Sequence, residues 1–307
     1  MPFKLSDIWG LLRQTASSWL DDYAPSMGAA LSYYTLFSLA PLLLIVISVA
    51  GLVFGADAAR GQIESQLASL MGSGGARAVQ DLIASMDKPV EGSIATALGL
   101  ILLFVGATTV FAELQDSLDR IWRVPARVRS SGWLTLLRTR LLSFGMILAI
   151  GFLLIVSLVA SAVLATMGQW LEPVFGGWYA LASVVSGIGG FILVATMFAL
   201  IYKIMPRARI QWRDVWTGAI FTALLFDLGK FLIGLYIGRS GIVTGFGAAG
   251  SLVVVLLWVY YSAQIFLMGA EFTWVYANAF GSRAAQSKLA VEAASVASIH
   301  RNVSNAP

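Results

Sequence analysis

Residues 240–270 read Ser-Gly-Ile-Val-Thr-Gly-Phe-Gly-Ala-Ala-Gly-Ser-Leu-Val-Val-Val-Leu-Leu-Trp-Val-Tyr-Tyr-Ser-Ala-Gln-Ile-Phe-Leu-Met-Gly-Ala, without one charged side chain. A bilayer core about 30 Å thick is crossed by roughly 20 helical residues, so this run is long enough to span it. In lipid a backbone must satisfy its own hydrogen bonds, which makes the run a helix. Five more runs lie upstream, at 24–56, 92–112, 141–171, 173–202 and 215–237, the last broken only by Asp227 and Lys230. The fold class that follows is all-α: a polytopic membrane protein with six transmembrane helices plus short amphipathic helices. Composition agrees, with 58% hydrophobic and only 12% charged residues. Soluble domains carry about 25% charged residues.

The basic residues orient the chain. Taken between the runs, Lys and Arg alternate: fifteen fall on the side of both termini and four on the other, with Lys230 inside a run. The positive-inside rule places both termini in the cytoplasm. The basic character therefore belongs to cytoplasmic loops suited to anionic headgroups and does not mark a nucleic-acid surface. Tryptophans gather at the expected boundaries, Trp122, Trp133, Trp212, Trp216 and Trp274 inside and Trp170 and Trp178 outside. This is the aromatic belt of membrane helices. The mixed charges Lys4, Asp7, Arg13, Asp21 and Asp22 do not make a cleavable signal peptide. Cysteine is absent, which excludes disulfides and thiolate chemistry.

Three regions result. Residues 1–22 form an amphipathic N-terminal segment, with Ile8, Leu11, Leu12 and Trp19 at helical spacing. It lies on the inner membrane face or packs on cytoplasmic loops; both readings stay open. Residues 23–280 form the transmembrane domain. Its outer loop, 55–91, holds two short amphipathic helices around Ile63–Met71 and Val79–Met86, broken at Gly72-Ser73-Gly74-Gly75. Residues 281–307 form a weakly ordered tail. Pro41 interrupts the first run and predicts a hinge or kink there. Ser183-x-x-x-Gly187 and Gly247-x-x-x-Ser251 fit small-residue helix packing, which is compatible with a homo-oligomer.

Ionisable groups at membrane depth are costly, so they are functional candidates by default. Asp227 and Lys230 lie mid-run, three apart on one helix face, either as a structural pair or as lining of a substrate path. Glu271 lies near the inner end of the last run. Ser32, Tyr33, Tyr34, Thr35 and Ser38 form a polar stretch before Pro41, and Tyr260, Tyr261, Ser262 and Gln264 another in the last run. Together they predict a polar interior shared by the first, fifth and sixth runs. Enzyme signals are poor. The sole histidine, His300, is in the tail, and there is no phosphate-binding glycine loop. Glu113, Asp116 and Asp119 share a helix face; such a cluster can ligate a divalent cation, but pairing with Arg120, Arg123 and the later loop arginines is the favoured reading. No cofactor, metal or catalytic residue is expected.

The block Gly28-Ala-Ala-Leu-Ser-Tyr-Tyr-Thr-Leu-Phe-Ser-Leu-Ala-Pro41 resembles the signature of the BrkB/YihY family of bacterial membrane proteins. Four more blocks resemble it in order and spacing: Glu113-Leu-Gln-Asp-Ser-Leu-Asp-Arg-Ile-Trp122, Tyr202-Lys-Ile-Met-Pro206, Trp212-Arg-Asp-Val-Trp-Thr-Gly-Ala219 and Trp258-Val-Tyr-Tyr-Ser-Ala-Gln-Ile-Phe-Leu-Met-Gly-Ala-Glu271. The likeness covers roughly residues 5–280. Asp119 departs from it, standing where relatives commonly have Asn. The resemblance implies a six-helix inner-membrane protein. Some relatives carry the label ribonuclease BN, which the absence of a His/Asp metal centre and of a nucleic-acid module argues against. Others have been linked to serum resistance and envelope lipid export. The readings carried forward are transport or flipping of an amphiphilic envelope component such as an anionic lipid, ion-coupled small-solute transport, and a non-transporting envelope scaffold. The expected partners are membrane lipids, not nucleic acid.

Overall fold

The computed structural model describes residues 5–54, 61, 64, 67–68, 75–81, 84, 109–125, 145, 178–239 and 249–284. The run 141–171, most of the run 92–112 and the tail beyond 284 lie outside the described residues. Within them the chain is helical, with no strand. The long helices are α1 (Leu5–Asp21), α2 (Ala24–Phe54), α3 (Trp178–Ile204), α4 (Trp212–Arg239) and α5 (Gly250–Ala279). A further helical segment covers 109–121. Among the described residues three helices are long and apolar enough to cross a membrane, through Gly187–Ile204, Trp212–Tyr236 and Gly250–Ala279. At about 1.5 Å per residue, the 30 residues of α5 reach about 45 Å, beyond the hydrocarbon core and into the headgroup region.

The ends of these helices are set by local chemistry. Pro206 disfavours helix at the residue before it, and α3 stops at Ile204. The Lys203 Nζ then donates to the Ile210 carbonyl and stands 5.5 Å over the Trp212 ring, closing the connection to α4. The segment 109–121 ends in a Schellman turn, with Val124 N–H donating to Asp119 O and Arg123 N–H to Arg120 O, both within 2.9 Å. Its left-handed position is Arg123, at φ 53°. Pro41, by contrast, ends nothing: α2 runs on through it from Ala24 to Phe54.

α5 is the hub. It packs against α4, α2 and α1, and α3 packs along α4 and reaches α5 through Phe198 and Tyr202, which meet Phe266. Successive contacts run in opposite directions, Gly218 on Thr273, Thr222 on Gly269 and Gly229 on Tyr261, so α4 and α5 are antiparallel. α2 is also antiparallel to α5: Gly28 meets Gln264, and Leu36 and Leu39 join Val254 and Val255. α1 behaves differently. Its Leu11 packs on Phe272, Val275 and the α4 side chain Phe221, and the turn that follows it brings Asp22 to Glu271. Most of a 17-residue helix thus meets barely one turn of α5, so α1 crosses the flank of the bundle. The other end is closed by Ala78 and Val79 of 75–81, buried with Ile233, Val254 and Val255.

Candidate functional site

The most costly polar groups gather where α1 meets α5. Glu271 is fully buried, and neither of its carboxylate oxygens has a hydrogen-bond partner among the described residues. The side chain of Asp22, in the turn between α1 and α2, meets it in a carboxyl–carboxyl contact, and Asp22 Oδ2 is likewise unpartnered. Asp21 and Arg123 also act on Glu271 electrostatically. Arg123 is engaged elsewhere, its guanidinium lying 4.3 Å over the Trp274 ring. Two buried indole N–H groups, Trp19 Nε1 and Trp122 Nε1, are unpartnered too. Orphaned buried polar atoms of this kind each cost about 1–3 kcal/mol. Two left-handed non-glycine residues flank the cluster, Tyr23 at φ 60° beside Asp22 and Arg123 itself. Strain of this type collects where side chains must be aimed.

Around this centre the segments 109–125, 202–219 and 280–284 are tied together. Asp119, fully buried, accepts from the Arg207 backbone N–H at 2.8 Å and from its Nη1 at 3.1 Å. Gln115 Nε2 donates to Met205 O at 2.9 Å, and Gln115 Oε1 accepts from Arg207 Nη2 at 3.4 Å. Asp214, also fully buried at the start of α4, accepts from the Ser282 hydroxyl at 2.5 Å and from its backbone N–H. Arg283 lies 5.0 Å over Trp122 and donates to Arg209 O. Residues 282–283 of the predicted tail are thereby fastened. Tyr202, fully buried, donates to Phe266 O at 2.7 Å and lies 3.0 Å from the Thr222 hydroxyl. Partial burial, then Asp116, raises the Glu113 carboxyl above its usual range, against the lowering effect of Arg120. Among the described residues no group of three acids or histidines is placed to hold a metal.

The other candidates are spread along the bundle. Gln264, two turns before Glu271 on the same face of α5, packs on Gly28 and donates to Pro25 O at 3.4 Å, leaving its Oε1 buried and unpartnered. Ser32 and Ser38 are buried but give their hydroxyls to Ala29 O and Thr35 O of their own helix. Tyr33 is exposed and stacks edge-on with Tyr34 and Phe37. Tyr261 packs on Gly229 of α4, and Tyr260 is half-buried. Asp227 and Lys230 pair at 2.7 Å, with 41% and 28% of their side chains exposed. They are not drawn into the Glu271 cluster. The sequence pointed to Glu271 and missed Asp22, which looks like an ordinary charge at the end of an amphipathic helix. The signal that finds it is an acid at the start of one apolar run facing an acid at the end of an antiparallel one.

The five blocks that carry the family likeness thus contribute residues to one packed assembly, most of it at the α1 end of the bundle. A family profile described as "Virulence factor BrkB" matches residues 15–294. The chain belongs to the BrkB family. BrkB-family relatives include a UPF0761 membrane protein of Pseudomonas aeruginosa (strain LESB58), 29% identical over 261 residues, covering 84% of this chain and 60% of the relative. Another, from Ralstonia nicotianae, is 29% identical over 256 residues, covering 81% and 55%. A third, from Tolumonas auensis, is 27% identical over 258 residues, covering 82% and 80%. The chain spans about 60% of the length of the Pseudomonas relatives it matches. No solved structure matches. Membership and the apolar helices together make this a membrane protein of the BrkB family.

Proposed function

We propose that this membrane protein moves or flips an amphiphilic envelope component, such as an anionic lipid, in a bacterial inner membrane that it crosses six times with both termini cytoplasmic. The observation that supports this reading is the Asp227–Lys230 pair. It sits midway along an apolar helix, closed on itself at 2.7 Å, yet partly open on the helix flank beside the exposed Leu224, Leu228 and Phe231. Ionisable groups in a span are expensive and are kept where they serve a pathway. A neutral pair of charges on an apolar flank offers a polar step to a headgroup while the acyl chains stay in hydrocarbon. Lys230 is the natural partner of a phosphate.

The test is translocation of a fluorescent anionic phospholipid in proteoliposomes. Lys230→Met is expected to lower the rate by more than it lowers folded yield. Adding Asp227→Asn should recover yield but not rate. Unchanged rates in both variants would remove the reading, and loss of folded protein alone would favour the envelope scaffold. A second reading, ion-coupled transport of a small solute, draws support from Glu271, a fully buried carboxyl with unpartnered oxygens in α5. Under either reading the protein is not an enzyme, and purified protein should leave RNA intact with or without divalent metal.

A further inference from the structure

Two carboxyl groups in contact pose a definite chemical question. An ionised carboxylate only accepts hydrogen bonds; a protonated one has an O–H to give. Glu271 and Asp22 meet through their side chains, yet the Glu271 oxygens and Asp22 Oδ2 find no donor among the described residues. The contact becomes a hydrogen bond only if a proton lies between them. Each of these oxygens is closed to solvent, so anything larger than a proton or a single water would have to open the contact. The charged groups acting on Glu271 are Asp22 and Asp21 from the α1 side and Arg123 from the turn after the 109–121 segment. The carboxyls outnumber the guanidinium, which is itself stacked on Trp274.

We propose that Asp22 and Glu271 hold one proton between them, and that this shared proton fastens α1 to α5. The proposal is independent of what the protein carries. The proton forms an O–H···O bond from one carboxyl to the other, and no covalent bond is made or broken besides O–H. Like charges in a sealed contact repel strongly, so two ionised carboxylates would push the α1–α2 turn away from α5. The sign follows: the fastening is present at low pH, where the pair holds at least one proton, and is lost as pH rises and the last proton leaves. Leu11 of α1 packs on α5, and Thr15 and Ser18 are buried on the same helix, so release of α1 would uncover that strip.

The absence of cysteine makes the test clean. In the full chain in lipid nanodiscs, Ser18→Cys reports on the buried face of α1 and Ala16→Cys on its exposed face. The ratio of their labelling rates by a thiol reagent cancels the reagent's own pH dependence. This ratio should be low at low pH and rise several-fold as pH is raised. Glu271→Gln supplies a permanent N–H donor to the Asp22 carboxylate, so its ratio should stay low throughout. Asp22→Asn does the same from the other partner and serves if the first variant folds poorly. Infrared spectra of the unmutated chain should show a protonated carboxyl band that disappears over the pH range in which the ratio rises. A flat ratio in the unmutated chain, an unaltered rise in Glu271→Gln or Asp22→Asn, or the absence of that band would each overturn the proposal.

Discussion

Asp119 is closed to solvent, and Arg207 is one of the groups that compensate it. A carboxylate there accepts both the backbone N–H and the guanidinium of Arg207. Removing one partner of a buried pair costs about 3–5 kcal/mol, because the other is left uncompensated. Arg207→Leu should therefore lower the thermal midpoint sharply. Asp119→Asn keeps an acceptor for the backbone N–H and should be milder; comparing the two midpoints checks the ranking. Glu113 makes the opposite case. Partial burial and Asp116 penalise its charged form. The penalty is absent at low pH, where the carboxyl is protonated in both folded and unfolded chains, and grows as pH rises through its ordinary range. Glu113→Gln should raise the midpoint at neutral pH and leave it unchanged in acid, as a melting series across pH would reveal. The acidic face at 113–119 was legible in the sequence, as was its need for arginines. That Arg207 is the partner was not, because the two positions meet only through the packing of 109–121 against the end of α3. The same holds for Asp22: its contact with Glu271 depends on a turn at Tyr23 that no residue preference announces.

α4 and α5 interlock through two matching steps. Gly218 and Thr222 on α4 face Thr273 and Gly269 on α5, and each glycine leaves room for the opposite threonine. The threonine hydroxyls return to their own helices, Thr222 to Gly218 O and Thr273 to Gly269 O, both at 2.7 Å, so the close approach leaves no hydroxyl unpaired. Without a hydrophobic drive between helices in lipid, such close packing carries much of the association. A side chain at either glycine has no space to enter. Gly218→Leu or Gly269→Leu should abolish the folded yield or cost several kcal/mol, whereas Thr222→Val, which keeps the shape, should cost about 1 kcal/mol; size-exclusion profiles and melting in detergent would separate the two classes. Length and charge made the helices themselves legible: the runs ending at 202, 237 and 270 became helices ending at Ile204, Arg239 and Ala279. Charged and polar residues at these ends extend the helices past the apolar cores, which is why the boundaries moved outward. Pro41, where the sequence predicts a kink, lies inside a helix that is continuous from Ala24 to Phe54. In an apolar setting a chain that left the helix would abandon many hydrogen bonds to spare one. The interlocking pairs were hidden, since a glycine four residues from a threonine is common in apolar runs and only the partner helix gives it meaning.

The alternating directions of α3, α4 and α5 put the 205–211 connection at one end of the bundle and Arg239 and Ala249 at the other. The first of these ends also holds α1, the turn at 122–125 and the start of the tail, with Arg123, Arg207, Arg209, Arg213 and Arg283 among them. The second holds Arg239 and the 75–81 cover with Arg77. Arginine is retained on the cytoplasmic face by the positive-inside bias, so the crowded end should be cytoplasmic. The same assignment extends to positions outside the described residues. Ser130 follows the basic end of the 109–125 segment, and Ser73 precedes the 75–81 cover. In a chain without cysteine, Ser73→Cys should react with an impermeant thiol reagent in intact cells, and Ser130→Cys should react only after the membrane is opened. Labelling of Ser130→Cys in intact cells with none at Ser73→Cys would invert the molecule. A result with both positions reactive from outside would mean that an even number of helices crosses between residues 73 and 130, which the placement of 75–81 and of the 122–125 turn at opposite ends of α5 cannot accommodate.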